Sequence, residues 1–420
     1  MRLLGHVVAR NALALYGVQF ARYLLPLVTI PYLARVLHPE GLGLVLLAQS
    51  FATLLALLLE YGFNLSATRE VARNWADKDY VAQVVAGVMG AKGLLLLVAA
   101  LGAIIAAWSV PAFRGHPAYP WLACLIAAGQ GLIPLWYFQG LERMQLPALL
   151  DLGTRILSTV GILIWVRAPD DGWKVLILYG AAGVLASGAS TLWMYRDLPI
   201  FRPRLAQVWS ALRIGWTMFI FRCVTSLYVV ANTFILGLFV PPALVSYYGG
   251  AEKISKVFVG LVYPFAQALY PRMNSLVAHD YKRAASLARL TFLLMGGFGL
   301  TLGSLIAILA PELVDLVLGP GYSPAVPVLR VLAMLIPLVA LSNVLGMQWM
   351  LILGMDRTFT AITAGAGMLN VGLAFLLAPR FGPLGMAWTV VCAEAFVTLA
   401  MWYVVQRSGH DFLKGVQKEP

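Results

Sequence analysis

The stretch VQFARYLLPLVTIPYL, residues 18–33, belongs to an apolar run long enough to cross a membrane, yet it contains Arg22, Pro26 and Pro31. A cation near the centre of a membrane helix costs about 2.5 to 3.5 kcal/mol, so it is normally retained only where it faces protein or water. Pro26 removes the amide that would bond the Arg22 carbonyl, and Pro31 frees another carbonyl one turn later. We therefore expect a bent helix that lines a hydrated cavity.

The composition of the whole chain indicates a membrane protein. Of its 420 residues 61% are hydrophobic and only 11% are charged, whereas a soluble domain has roughly 25% charged residues. A hydrocarbon core of about 30 Å requires a helix of about 20 residues. We predict an all-α integral membrane protein with twelve transmembrane helices at 11–33, 42–63, 82–108, 118–140, 147–167, 173–195, 214–239, 244–269, 287–311, 325–353, 358–378 and 383–406.

The chain offers no pattern for metal, redox or nucleotide chemistry. Its three cysteines fall singly in different predicted helices, and its five histidines lack the spacing of metal ligands. A GxxxxGK[ST] phosphate loop is absent from the sequence. We therefore expect that the protein binds no metal and no cofactor, and that its activity is driven by an ion gradient or the membrane potential.

The distribution of Lys and Arg predicts the orientation of the chain. Placing the N-terminus in the cytoplasm assigns 18 cations to cytoplasmic segments and 5 to the opposite side, as the positive-inside rule requires for cytoplasmic termini. The net charge of +12 is thus a signal of topology and of contact with anionic lipids, and does not indicate nucleic acid. The segment NLSATREVARNWADKDY, residues 64–80, is predicted to lie on that face as a short interfacial helix.

Two halves of six helices each are suggested by internal similarity. GLERM at 140–144 resembles GMDRT at 354–358, and Arg22 and Arg222 lie at similar distances before proline-containing turns at Pro39 and Pro241. Such parallel repeats are known in transporters. We predict an N-lobe at 1–200, a cytoplasmic linker at 201–213 and a C-lobe at 214–420, with a central cavity between the lobes.

Three of the 30 cations, Arg167, Lys174 and Arg289, lie within two residues of a predicted span end and are counted with the loops. Seven others fall inside the predicted spans, against four acids. Intramembrane charges are functional by default, and a net-positive cavity attracts anions such as phosphoryl groups. Simpler interpretations apply to several of them: Asp151 and Arg155, and likewise Glu252 and Lys256, are spaced for i, i+4 pairing, and Lys92 and Arg330 are placed for snorkelling. The candidates for the cationic site are Arg22, Arg222, Lys253, Lys256, Arg155 and Lys92, with Asp151, Glu60 and Glu252 as possible ion-pair or coupling acids.

Three stretches resemble a known family of exporters. PYLARVLHPEGLGLVLLAQSF with LEYGFNLSATREVARN, WYFQGLERM, and GMDRT are similar to the polysaccharide-transport branch of the multidrug/oligosaccharidyl-lipid/polysaccharide (MOP) exporters, and most similar to Wzx-type flippases of O-antigen and exopolysaccharide repeat units. The resemblance spans the full length. It implies two six-helix lobes around a central cavity and alternating access in the bacterial inner membrane.

The same resemblance implies a substrate and a site. The substrate would be an undecaprenyl-pyrophosphate-linked oligosaccharide moved from the cytoplasmic to the periplasmic leaflet, and the matching cations are Arg22, Arg222, Lys253 and Lys256. Membrane lipids, and a polysaccharide polymerase or chain-length machinery, are the implied partners. The peptidoglycan-precursor flippases of the superfamily usually carry two further helices that this chain lacks.

Two other functions stay open at this point. A multidrug or cation antiporter of the same fold needs uncompensated carboxylates deep in the N-lobe, whereas Glu60 and Asp151 lie near predicted helix ends. A membrane polysaccharide polymerase or glycosyltransferase needs a sizeable extramembrane loop or a carboxylate pair at a membrane face. The predicted non-cytoplasmic loops are short, which favours a transporter over an enzyme.

Overall fold

The computed structural model describes residues 2–409 and 411–412, with side chains for these residues except 2–24, 26–27, 224–225, 227–228 and 268. The described residues form helices and turns, without a strand. The α-helices are α1 Arg2–Glu60, α2 Phe63–Arg73, α3 Lys78–Ser109, α4 Pro111–Arg114, α5 Ala118–Gly131, α6 Leu135–Gly140, α7 Gln145–Trp165, α8 Gly172–Arg196, α9 Leu205–Val230, α10 Asn232–Gly237, α11 Pro242–Gly260, α12 Val262–His279, α13 Tyr281–Ile308, α14 Ala310–Val317, α15 Ala325–Leu332, α16 Leu335–Leu345 and α17 Asp356–Arg407. A 3-10 helix, Pro169–Asp171, precedes α8, and a π-helical segment, Gly346–Met350, follows α16.

Two of these helices are pairs joined across a kink. In α1 the backbone leaves the helical region at His38 (φ 55°), and in α17 it does so at Gly382 (φ 55°). Each residue precedes a proline, Pro39 or Pro383, and a residue before proline is disfavoured in the right-handed helical region. The helix runs through Pro26 and Pro31, so the interruption in α1 lies beyond the stretch where the sequence predicts a bend.

Several predicted spans are broken by prolines. The span predicted at 325–353 consists of α15, α16 and the π-helical segment, and the span predicted at 244–269 divides into α11 and α12. Pro337 and Pro264 lie in the first turns of α16 and α12. Proline fits a first turn because its missing N–H would be unbonded there, but it ends the preceding helix.

Eight segments among the described residues are long and apolar enough to cross a membrane. Asp356–Arg407 covers two predicted spans, Val28–Arg73 covers the span at 42–63 and only the end of the span at 11–33, and the other six correspond to one span each. The predicted spans at 214–239 and 244–269 are outside this group, so the total of twelve stays a prediction. Many large apolar side chains are exposed, for example Leu97, Trp108 and Leu192, as expected for surfaces in contact with lipid.

The chain divides into two compact units, within α9. Unit 1 contains residues 1–223 and 241–243, and unit 2 contains 224–240 and 244–420. The division falls after the linker predicted at 201–213, and α9 already begins at Leu205 within that linker.

Unit 1 is organised around α5, which packs against α1, α3 and α8. A Cβ atom on Gly129 of α5 would lie 2.7 Å from the Gly183 carbonyl carbon of α8, so small residues allow the two backbones to approach closely. The segment predicted as a short helix at 64–80 contains α2, Phe63–Arg73, which packs against α6, and its interfacial position stays a prediction.

Unit 2 has a separate core in which α16 packs between α13 and α17. Its buried side chains include Phe292, Trp349 and Met401, together with Phe412 from the end of the described chain. The two halves of α17 contact one another, because a Cβ on Gly365 would lie 3.4 Å from the Phe396 ring.

Candidate functional site

Glu60 and Arg222 form an ion pair in unit 1. Glu60 ends α1, and its Oε2 lies 2.6 Å from Nη1 of Arg222 on α9, with each side chain about 30% exposed. The chain then turns sharply through Tyr61 and Gly62, both with positive φ, and the Tyr61 ring stacks on Phe219 at 4.6 Å. A predicted substrate-binding cation and a predicted coupling acid therefore neutralise one another.

Lys92 is the most deeply buried of the predicted cations. Its side chain on α3 is 1% exposed, and Nζ donates hydrogen bonds to the carbonyls of Gly131 at 2.6 Å and Ile133 at 3.4 Å. These carbonyls lie at the end of α5, where helix carbonyls lack intrahelical partners and a cation is favoured by the helix dipole. Lys92 thus caps α5 inside the protein and does not snorkel. It also interacts electrostatically with Glu60, so Lys92, Glu60 and Arg222 together carry one positive charge.

The predicted pair on α7 is confirmed. Nε of Arg155 lies 3.0 Å from Oδ2 of Asp151, four residues earlier. Both side chains are half-buried, and the pair has no net charge. Arg155 therefore has an acidic partner and offers less attraction to an anion than its position in the sequence suggests.

The second group of predicted charges lies on α11 in unit 2. Oε1 of Glu252 forms an ion pair with Nζ of Lys256 at 3.0 Å, as predicted from the i, i+4 spacing. Its Oε2 accepts a hydrogen bond from the Thr233 hydroxyl at 3.2 Å. Lys253 is half-buried beside this pair. Within the described part of the chain, Lys253 forms no hydrogen bond or salt bridge, so this group also carries one positive charge.

The side chains of Arg22 and Pro26 lie outside the described residues. Pro31 is half-buried in α1. The structure therefore places five of the six predicted cations. Four of them form two groups in different units: Arg222 and Lys92 around Glu60, and Lys253 with Lys256 around Glu252. The Asp151–Arg155 pair on α7 is a third, separate pair.

One cavity of about 310 Å³ lies within unit 1, between α2, the start of α3 and the start of α9. Its lining is mostly apolar and includes Phe63, Val88 and Ile214, with Tyr80 donating a hydrogen bond to Glu70 at one side. None of the five predicted cations whose side chains are described lines it. Within the described part of the chain, no group of three or more His, Cys, Asp or Glu residues is placed to hold a metal ion.

The chain is similar to known proteins over most of its length. Residues 8–277 match the family described as "Polysaccharide biosynthesis protein". The protein named "Putative O-antigen transporter" in Escherichia coli (strain K12) is 30% identical, over 95% of this chain and 97% of its own. A protein of the same name in Shigella dysenteriae is 26% identical, over 94% of this chain and 100% of its own.

Two solved structures share the fold. The lipid II flippase MurJ in an inward closed conformation superimposes with a TM-score of 0.71 at 14% identity, over 97% of this chain and 89% of its own. An inward-facing multidrug resistance MATE transporter of the MOP superfamily gives the same TM-score and identity, over 96% of this chain and 97% of its own. At this identity the likeness concerns the fold alone, and it confirms the predicted fold class. The chain therefore belongs to the polysaccharide biosynthesis protein family, and it is a multi-pass membrane transporter with the MOP fold, not an enzyme.

Proposed function

We propose that this transporter flips undecaprenyl-pyrophosphate-linked oligosaccharide repeat units from the cytoplasmic to the periplasmic leaflet of a bacterial inner membrane, with both termini in the cytoplasm. The observation that carries the proposal is the full-length similarity to O-antigen transporters, because an O-antigen precursor must cross the membrane as a large, anionic lipid-linked glycan. Alternating access would be driven by an ion gradient or the membrane potential. A polysaccharide polymerase or chain-length machinery would receive the product.

The charges of α11 supply the contact that such a substrate needs. Lys253 lies about 14 Å, nine residues, beyond the predicted start of its span, and the acid nearest in sequence, Glu252, already bonds Lys256 and Thr233. An ammonium at this depth that forms no salt bridge of its own is costly unless it contacts a ligand or water. The ammonium of Lys253 would attract a diphosphate as a point charge.

The arrangement of acids argues against the cation antiporter of the same fold. That function needs uncompensated carboxylates in unit 1, but Glu60 pairs with Arg222 and Asp151 pairs with Arg155. A carboxylate held by a guanidinium is a poor site for exchanging cations, since the exchanged cation would have to displace the arginine. We therefore rank the flippase above the antiporter.

Deletion of the gene in its own bacterium tests the proposal. We expect loss of the surface polysaccharide and accumulation of lipid-linked repeat units that stay inaccessible from the periplasm, because synthesis continues while transfer stops. The repeat units would be quantified in lipid extracts, and their side of the membrane would be determined with an impermeant glycan-modifying reagent. Single repeat units exposed on the periplasmic side would indicate a polymerase instead, and unchanged polysaccharide with increased drug sensitivity would indicate a multidrug antiporter.

A further inference from the structure

Glu394 differs from the other acids of the predicted spans. Glu60, Asp151 and Glu252 each form an ion pair with an arginine or lysine. Glu394 instead accepts a hydrogen bond from the Ser342 hydroxyl, 2.7 Å from its Oε1, and it enters none of the ion pairs found among the described residues. A carboxyl group with a hydroxyl partner is able to exist with or without its proton, whereas a carboxylate bound to a guanidinium stays ionised.

The position of Glu394 places it deep in the predicted membrane region. It lies 12 residues after the kink at Gly382 and 13 before Arg407, where α17 ends, which is roughly 18 and 20 Å along the helix. The side chain is half-buried, and the next turn holds Thr398, whose hydroxyl donates to the carbonyls of Leu338 and Glu394. An ionisable group at this depth is normally retained for a function.

No cation within the described residues is placed to hold Glu394 ionised. The elements that pack against α17 are α10, α13, α15, α16 and the π-helical segment. Among these elements, α10, α16 and the π-helical segment contain no charged or titratable side chain, and Arg330 of α15 is exposed and donates to the Ala307 carbonyl. The cations of α13, Lys282, Arg283 and Arg289, are exposed, Arg283 pairs with Asp280, and the Tyr281 ring packs on Trp349. The charged groups of α17 itself, Asp356, Arg357, Arg380 and Arg407, lie 13 or more residues away, and the titratable Cys392 and Tyr403 are exposed.

A second polar group lies at the same distance from the kink. Asn370 precedes Gly382 by 12 residues, as Glu394 follows it by 12, and the two halves of α17 contact one another near Gly365 and Phe396. Asn370 is 0% exposed, and neither atom of its amide has a hydrogen-bond partner. Buried amides are nearly always bonded, and an ordered water is the usual missing partner. Asn370 is thus a second buried polar group in α17 besides Glu394.

We propose that Glu394 is a reversible proton-binding site and that its protonation couples export to the proton gradient. The carboxylate gains one proton from the side facing the periplasm and becomes a neutral carboxyl group, still bonded to Ser342; release of that proton on the other side restores the carboxylate. A proton suits this site better than a metal cation, because hard cations require about six oxygen ligands. The coupling step rests on the proposed flippase function, whereas proton binding by Glu394 does not.

Infrared difference spectroscopy on the purified full-length protein in lipid vesicles tests proton binding without any substrate. We expect a protonated-carboxyl band that appears as pH is lowered, is lost in Glu394→Gln, and is kept in Glu312→Gln, whose carboxylate on α14 is exposed. Because the Ser342 hydroxyl bonds the same carboxyl group, Ser342→Ala should move the frequency of this band. That second variant decides the question if Glu394→Gln does not fold.

Three results would overturn the proton site: a band unchanged in Glu394→Gln, a frequency unchanged in Ser342→Ala, or a band that responds to sodium at constant pH and not to pH. Coupling is measured separately, as export in vesicles with and without an acid-outside gradient. The wild type should respond to the gradient, and Glu394→Gln should export at the same rate in both conditions. If the band of Glu394 titrates but the protein moves no lipid-linked glycan, the proton-binding site is supported and the flippase function is refuted.

Discussion

Replacing Lys253 with Gln is expected to lower export of the surface polysaccharide by about 10- to 100-fold while the protein still folds. The ammonium is half-buried and lacks a salt bridge among the described residues, so its removal leaves no acid unpaired. What is lost is a charge-assisted contact with the substrate, worth about 1.5 to 3 kcal/mol, and each 1.4 kcal/mol corresponds to a factor of ten. Export is measured as surface polysaccharide in the deletion strain complemented with the variant.

Two matched variants separate charge from structure at this position. Lys253→Arg keeps the positive charge and should retain most of the export. Lys282→Gln removes an equal charge from an exposed position near the start of α13 and should export at the wild-type level. Export by Lys253→Gln equal to that of Lys282→Gln, at equal amounts in the membrane, would show that Lys253 does not contact the substrate.

The largest effect on stability is expected from Gly43→Ala. Gly43 lies in the second half of α1, where a Cβ atom would be 1.8 Å from the Pro242 carbonyl oxygen and 2.4 Å from its carbon. Both residues belong to unit 1, and the obstacle is backbone that cannot rotate away. Overpacking usually costs 1 to 3 kcal/mol, so we expect the free energy of unfolding to fall by about 3 kcal/mol. Thermal unfolding of the purified protein in detergent measures the change.

Gly93→Ala is the control for this substitution. Gly93 lies inside α3 with nothing within 4 Å of its Cβ position, and alanine is favoured over glycine in a helix by about 1 kcal/mol. Its melting temperature should therefore equal or exceed that of the wild type. A melting temperature of Gly43→Ala equal to that of Gly93→Ala would refute the close approach of α1 to Pro242.

Local features of this fold are predictable from the sequence because they depend on a few adjacent residues. The ion pairs Asp151–Arg155 and Glu252–Lys256 follow from helical spacing alone, and both are present. The divisions of α1 and α17 lie at His38 and Gly382, between the predicted spans, where each residue precedes a proline that disfavours the helical conformation.

Contacts between residues that are distant in the sequence could not be predicted from the sequence alone. Glu60 and Arg222 are 162 positions apart, and no pattern in the sequence indicates that they meet. Lys92 was predicted to contact substrate or to snorkel, but packing of α3 against the end of α5 gives it two carbonyl partners instead. Glu394 is one of the four acids in the predicted spans, and no pattern in the sequence indicates its hydrogen bond to Ser342, which distinguishes it from the other three.

The most direct test of the account is a flipping measurement with the purified protein alone. The protein is reconstituted into vesicles that contain a labelled undecaprenyl-pyrophosphate oligosaccharide from its own bacterium, and an impermeant glycan-cleaving enzyme is added outside. Protein-free vesicles expose about half of the labelled lipid to cleavage. With the protein present we expect nearly all of it to be cleaved, more slowly with Lys253→Gln. Protection of half of the label in vesicles that contain folded wild-type protein and an imposed ion gradient would contradict the account.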